Sequence, residues 1–329
     1  MLDPQIVLTS IEELLDGAEG FEPLDSVGKS GASLERVRID GASYVVKYLD
    51  QATDWTIRVA DVPGTAPVEL WRRGVLHALP AVIDQPIVAV AQTPTRSALL
   101  MRDMGSVLVP SEDALISETH NHAFLDAMAA MHVRFWETDE NVDVVQASRR
   151  YLELSPAMAE AEALIGSDHL VPKLVARGWP MLAEVAPAAS AVVTPLVHDP
   201  SPLVTALAAT PQTFVHGNWK LDNLGIHDDG RTVLFDWEMP GGGAPLSDVA
   251  WYLAINCRRL PGTKESSITY YRGALERLGI DTEPWWQTQL ALCLTGALVQ
   301  FGWEKALGGY DDELAWWEER AVAAAPLLG

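Results

Sequence analysis

The chain has 329 residues, enough for two lobes that each bury a core. Its 48% hydrophobic and 21% charged content describes an ordinary soluble globular protein, and no apolar run approaches the roughly 20 residues of a membrane span, so no membrane-spanning helix is expected. A formal net charge of −22 argues against nucleic acid, whose backbone repels such a surface. The opening Met1–Gln5 carries neither a basic region nor an apolar core, so a secretory leader is not expected. Cys257 and Cys293 both sit in apolar, helical-looking segments and read as buried thiols, which suits a cytoplasmic protein.

Thr9–Leu15 reads as a short helix with Ser10 as N-cap. Leu24–Val27, Leu34–Ile39 and Ser43–Tyr48 read as strands. The loop Gly28-Lys29-Ser30-Gly31-Ala32-Ser33 joins the first two, and such a loop can donate backbone N–H groups to phosphates. Lys47 stands alone in a β-branched strand, as does the lysine that holds the α- and β-phosphates on the third strand of kinases; an edge-strand charge is the plainer alternative. Pro67–Leu79 looks helical, with the proline in its first turn. Glu69 in that helix is the candidate partner for Lys47, with Asp61 as runner-up. Ile87–Ala91 and Ser97–Met101 are two more strands, and Arg102-Asp103-Met104-Gly105 is a connector.

From Gly105 the pattern turns helical. His122–His132 keeps apolar residues at helical spacing, and Met158–Ile165 and Leu170–Val185 follow, the last with Gly178-Trp179-Pro180 as a possible break. Ala186–Pro202, rich in Ala, Pro and Ser, reads as a connection. Leu224–Ile226 and Thr232–Phe235 flank the turn residues Asp228-Asp229-Gly230, a hairpin signature. Met239–Pro245 reads as a mobile or tightly turned loop, and Asp248–Leu253 opens a helix. Thr263–Leu278, Pro284–Leu307 and Asp311–Ala325 complete the chain as helices, with Trp285, Trp286, Trp303, Trp316 and Trp317 as core.

The hairpin carries the chemistry. Polar residues lie just outside both of its strands: His216, Asn218, Lys220 and Asn223 before the first, Asp236 and Glu238 after the second. Closing the hairpin brings Asn223 and Asp236 together, and an amide and a carboxylate are oxygen ligands suited to Mg²⁺ bridging nucleotide phosphates. The spacing matches the kinase template of a base, a metal-binding Asn five residues later, and a metal-binding Asp after a hairpin. An ordinary hairpin with polar ends has the same composition.

The stretch resembles the aminoglycoside phosphotransferase and choline kinase-like family, which carries His-Gly-Asp, four residues, Asn, then Asp after a hairpin. His216, Gly217, Asn223 and Asp236 match, whereas Asn218 stands where the family has its catalytic Asp. The resemblance implies a kinase-like two-lobe α+β fold, with a nucleotide-binding lobe over 1–103 and a helical lobe with the acceptor site over 104–329. It implies ATP and Mg²⁺ as cofactors and phosphoryl transfer to a hydroxyl of a small molecule, such as an amino sugar or aminoglycoside-like amine. Lys47, with Glu69, Ser30 and Gly31, would hold the nucleotide, and backbone at Asp103 and Met104 would meet the adenine edge. Asn223 and Asp236 would bind the metal, Lys220 would offset charge on the transferred group, and Asp222 would be a substitute base. Asp248 would brace the loop. The alternative is a pseudokinase that binds a nucleotide or partner without turnover. Residues 1–105 hold 9 Lys/Arg against 15 Asp/Glu, net −6, and the remainder 14 against 30, net −16. Such a second lobe, with Asp222 and Glu238, favours a cationic acceptor; solubility alone accounts for the same charge.

Overall fold

Strands of the first third alternate side chains between two faces, and that period places the faces in different surroundings. The computed structural model describes residues 5–24, 30–111, 114–138 and 142–329. A short helix α1 (Ile11–Leu14) is followed by β1 (Glu19–Leu24), β2 (Ser33–Ile39) and β3 (Ala42–Asp50). Next come α2 (Trp55–Ala60), α3 (Ala66–Arg72), a 3-10 turn at Val75–His77, β4 (Ile83–Asp84), β5 (Ile87–Gln92) and β6 (Arg96–Arg102). Five of these strands form one antiparallel sheet in the order β1-β2-β3-β6-β5. Val37, Val46, Ala98 and Leu100 pack with Leu14 on one face. Leu49, Leu99 and Met101 join the main core through the other. Lys47, two residues before Leu49, shares that second face.

The remainder is mostly helical, the expected α+β division. α4 (Glu118–Arg134), α5 (Ala147–Leu152), α6 (Pro156–Leu164), α7 (Leu170–Val185), α8 (Pro187–His198) and α9 (Ser201–Ala208) precede β7 (Thr213–Val215). The hairpin of β8 (Leu224–Ile226) and β9 (Thr232–Leu234) comes next, then β10 (Gly241–Gly243), α10 (Pro245–Ile255), α11 (Lys264–Arg277), α12 (Trp286–Leu307) and α13 (Asp312–Ala324). Trp219, Trp237, Tyr252, Tyr271 and Trp317 are fully buried among them. The sheet lobe also reaches across: β4 runs parallel to β9 and pairs Ile83 with Thr232. Among the described residues no helix is long and apolar enough to cross a membrane.

Several expectations change. Residues 25–27 of the first expected strand lie outside the described residues, and β1 begins earlier, at Glu19. Ala186–Pro202 is no connector but α8 and the start of α9. Pro187 and Pro202 sit in first turns, where the missing N–H costs no helical bond. Gly178-Trp179-Pro180 does not break α7, which runs through it. Met239–Pro245 is buried structure: Gly241–Gly243 pair with Val215–Thr213 of β7. Helix α2, capped by Asp54, was not anticipated.

Gly178 explains why α7 and α12 can pack so closely. A Cβ there would lie 2.3 Å from the carbonyl oxygen of Trp303. Helix propensity alone predicts that Gly178→Ala stabilises by about 1 kcal/mol. Packing predicts the reverse, a loss of about 1–3 kcal/mol in urea unfolding. An unchanged or raised midpoint would show that the two helices do not meet as described.

Candidate active site

Asp248 organises the loop that follows β7. It lies in the first turn of α10, 1% exposed, where it meets the chain leaving β7. Its Oδ2 accepts the His216 N–H at 2.8 Å and the Trp219 indole N–H at 2.9 Å, and its Oδ1 accepts the Gly217 N–H at 2.8 Å. The His132 Nε2–H adds a contact of 3.1 Å, and the Tyr271 hydroxyl donates to His132 Nδ1 at 2.5 Å. Burial alone would push this carboxyl up; the His132 hydrogen bond and the other donors outweigh it and hold it below the usual carboxylate range. Gly217 is required twice. Its φ is +75°, and a Cβ would meet the Met239 carbonyl oxygen at 2.4 Å. Asn256, which no motif announced, accepts the Leu221 N–H at 3.0 Å and donates to the Trp219 carbonyl at 2.9 Å.

His216 links this loop to the far strand of the hairpin. Its Nε2–H donates to the Phe235 carbonyl at 3.1 Å, and its Nδ1 accepts the Asn218 N–H at 3.1 Å. Burial pushes the imidazole down to about 4, against the pull of Asp248 and Asp236, so it is neutral at pH 7. The hairpin pairs Leu224 with Leu234, and the Phe235 N–H donates to the Asn223 carbonyl at 3.3 Å. Asn223 and Asp236 therefore stand at the same open end. Asn218 joins them: its Nδ2 donates to Asp236 Oδ2 at 3.0 Å, and Asn223 Nδ2 donates to the Asn218 carbonyl at 3.2 Å. Asp236 takes a left-handed φ of +69°, a conformation that Asp tolerates and that recurs at functional sites.

Lys47 of β3 reaches across to this end. Its ammonium bonds Asp236 and lies 2.8 Å from Glu238 Oε1. Burial would lower the ammonium's pKa, yet the charges of Asp236 and then Glu238 raise it overall. Desolvation, followed by the charge of Asp236, pushes the Glu238 carboxyl up to about 8. Glu153, just past α5 and partly exposed, is likewise pushed up to about 8 by burial and by Asp236. No motif marked Glu153.

Other expected residues lie elsewhere or have other partners. Glu69 does not orient Lys47: it pairs with Arg72 and Arg73, one turn along its own helix, and Asp236 and Glu238 take the lysine instead. Asp61 pairs with Arg149 at 2.5 Å. Asp222 is no free base, since Lys220 holds it at 2.5 Å and Arg259 at 3.2 Å. Asp222 and Glu238 thus meet the chain's own cations. Gly28 and Lys29 lie outside the described residues. Ser30 accepts the Trp55 N–H at 3.2 Å, and Gly31 fits a spot where a Cβ would lie 2.2 Å from the Thr53 carbonyl oxygen. Asp103 accepts from Arg36 and Ser43, both at 2.9 Å, and its own N–H donates to the Ser43 carbonyl at 3.4 Å. Among the described residues, no backbone hydrogen bond uses the Asp103 carbonyl or the Met104 N–H.

Asp236, Glu238 and Asn223 offer oxygen donors, and a carboxyl held near 8 beside a carboxylate marks a place where added positive charge is favoured. Among the described residues no three His, Cys, Asp or Glu side chains form a metal cage. The amide and carboxylate oxygens at this end are the donor types that Mg²⁺ takes, alongside phosphates and water.

The neutral His216 gives stability a pH signature. An unfolded histidine protonates below about 6.5, whereas the folded one resists until about 4. The unfolded chain binds more protons in that window, so this contribution is full above it and is lost as pH falls through it. Between pH 7 and pH 4 the parent should lose on the order of 3 kcal/mol more than His216→Gln in urea unfolding. Equal losses would mean that His216 titrates freely.

The family model described as the phosphotransferase enzyme family matches residues 42–286. A choline kinase, LicA from Streptococcus pneumoniae, superposes with a TM-score of 0.51 at 14% identity, covering 96% of this chain and 96% of that one, and shares the two-lobe kinase-like fold. A thermostable mutant of aminoglycoside phosphotransferase APH(4)-Ia, in a ternary complex with ADP and hygromycin B, aligns at 14% identity over 96% of this chain and 97% of that chain, with a TM-score of 0.48. Acyl-CoA dehydrogenase family member 10 of Mus musculus is 30% identical over 115 residues, which is 30% of this chain. The match spans only 11% of that longer protein. By the family match over most of its length, the chain belongs to the phosphotransferase enzyme family.

Proposed function

We propose that the protein transfers the γ-phosphoryl group of ATP to a hydroxyl of a small molecule. The observation that carries this reading is the meeting of Lys47 from the sheet lobe with Asp236 from the hairpin, with Asn218 and Asn223 at the same end. Lys47 is the group for the nucleotide phosphates, and the backbone at Ser30 and Gly31 would contribute to holding them. The lobes meet at Asp103 and Met104, whose unused carbonyl and N–H suit an adenine edge. Asn223 and Asp236 would hold Mg²⁺, which when bound neutralises phosphate charge. Lys220, 31% exposed, lies two residues past Asn218 and offsets charge on the transferred group once it leaves Asp222.

In the reaction the acceptor oxygen bonds to the γ-phosphorus, the bond to the β–γ bridging oxygen breaks, and the hydroxyl proton passes to a transferred phosphoryl oxygen. Asn218 cannot take that proton, but its amide can orient the hydroxyl. Phosphoryl transfer has a loose transition state, so positioning and electrostatics carry most of the catalysis. The missing carboxylate is also what favours the second reading, a pseudokinase.

Two variants test this. Asp236→Ala should abolish Mg²⁺-dependent ATP binding in calorimetry while the fold, followed by circular dichroism, persists; undiminished binding would misplace the metal site. Asn218→Asp restores a carboxylate but puts it about 3.0 Å from Asp236. Like charges at that range resist joint ionisation, so the variant should bind ATP only with Mg²⁺ present. With it, ADP release over a panel of alcohols should rise at least about tenfold, a fraction of the usual general-base effect. No rise with nucleotide bound would favour the pseudokinase.

A further inference from the structure

A cavity of about 510 Å³ opens beneath the loop, on the side of β7, β10 and α5. It touches Gly217, the neighbour of Asn218, and Gly242 and Gly243 of β10. Its walls are largely apolar, with Val142, Tyr151, Val204 and Leu207 among them. Its size suits a small molecule.

Arg150 lines this cavity and is 7% exposed. Its Nη1 donates to the Val145 carbonyl at 2.6 Å and its Nη2 to the Gly242 carbonyl. It makes no ion pair with a described carboxylate; Asp143 and Asp248 act on it only at longer range. Burial pulls its pKa down. A guanidinium has five N–H donors, and a buried one is costly without a counter-charge. The glycines of β10 make room for it, because a Cβ at Gly241 would lie 2.6 Å from Nη1 and one at Gly243 2.8 Å from Nη2. Tyr151, the next residue in the chain, lines the cavity beside it. Three carboxylates also line the cavity: Glu137 and Asp143 are exposed and therefore screened by solvent, and buried Asp248 has its oxygens taken up by the His216 and Gly217 N–H groups, the Trp219 indole and His132.

We propose that this cavity is the acceptor pocket and that Arg150 selects a hydroxylated aliphatic molecule bearing a carboxylate. The acceptor role rests on the phosphotransferase reading; the pocket rests on Arg150. Arginine binds a carboxylate through paired N–H groups, and the apolar walls take the carbon chain.

The test uses three probes of one length: ω-hydroxyhexanoate, ω-hydroxyhexanamide and ω-aminohexanol. In calorimetry the acid should bind at least about tenfold more tightly than the other two. Arg150→Gln should erase that preference. An amine or amide that binds as well as the acid, or an acid preference that survives in Arg150→Gln, overturns the proposal and leaves Arg150 as a clamp on β10. Should Arg150→Gln not fold, Ala208→Phe narrows the cavity from an exposed position and should abolish acid binding; undiminished binding there overturns the pocket. ADP release with Mg·ATP is measured in parallel. Arg150-dependent acid binding without phosphoryl transfer would overturn the acceptor role while the carboxylate pocket stands.

Discussion

One buried carboxylate underlies the geometry of the site. Asp248 has almost no access to water, so its charge must be met by protein donors. The backbone N–H groups of His216 and Gly217, the Trp219 indole and the His132 ring meet it. Each of these fixes part of the loop after β7. A backbone turning this sharply would leave N–H groups unpaired without such an acceptor. The turn needs a glycine at 217, and Gly217 lies against the Met239 carbonyl, so the residues after the hairpin are positioned by the same brace. His216 carries the order onward to Phe235, and Asp236 follows it.

A second level rests on charge between the lobes. Lys47 comes from the sheet, Asp236 and Glu238 from beyond the hairpin, and they meet in a partly enclosed place. The pairing stabilises the ammonium against burial, while burial and then the charge of Asp236 raise the pKa values of Glu238 and Glu153. Asn218 fits the same pattern: its amide donates to Asp236, where a carboxylate would add a further like charge. An amide at this position therefore avoids repulsion with Asp236.

Beyond this site, the acidic character of the second lobe lies largely on the surface. Of the carboxylates near the hairpin, Asp222 is paired with Lys220 and Arg259, and Glu238 lies against Lys47. The cavity under the loop holds a buried cation, Arg150, beside a buried carboxylate, Asp248, whose charge the loop's own donors meet. A net charge averaged over a lobe therefore says little about the sign that a ligand meets inside it.

Local chemistry was legible in the amino-acid sequence. Alternation marked β2, β3, β5 and β6, Ser10 marked the cap of α1, and Asp228-Asp229-Gly230 marked the hairpin that joins Asn223 to Asp236. These features depend on neighbours a few residues apart, which the order of residues specifies directly. Composition misled where packing overrides propensity: Pro180 sits inside α7 and the three glycines of β10 form a strand, because α12 and Arg150 lie against them. Tertiary structure alone decided the partners of charges. Glu69 had the right residue type and a plausible spacing, yet its own helix supplied Arg72 and Arg73, while Lys47 found carboxylates 189 and 191 positions away. An ion pair forms over a few ångströms of space, and distance along the chain does not encode that separation.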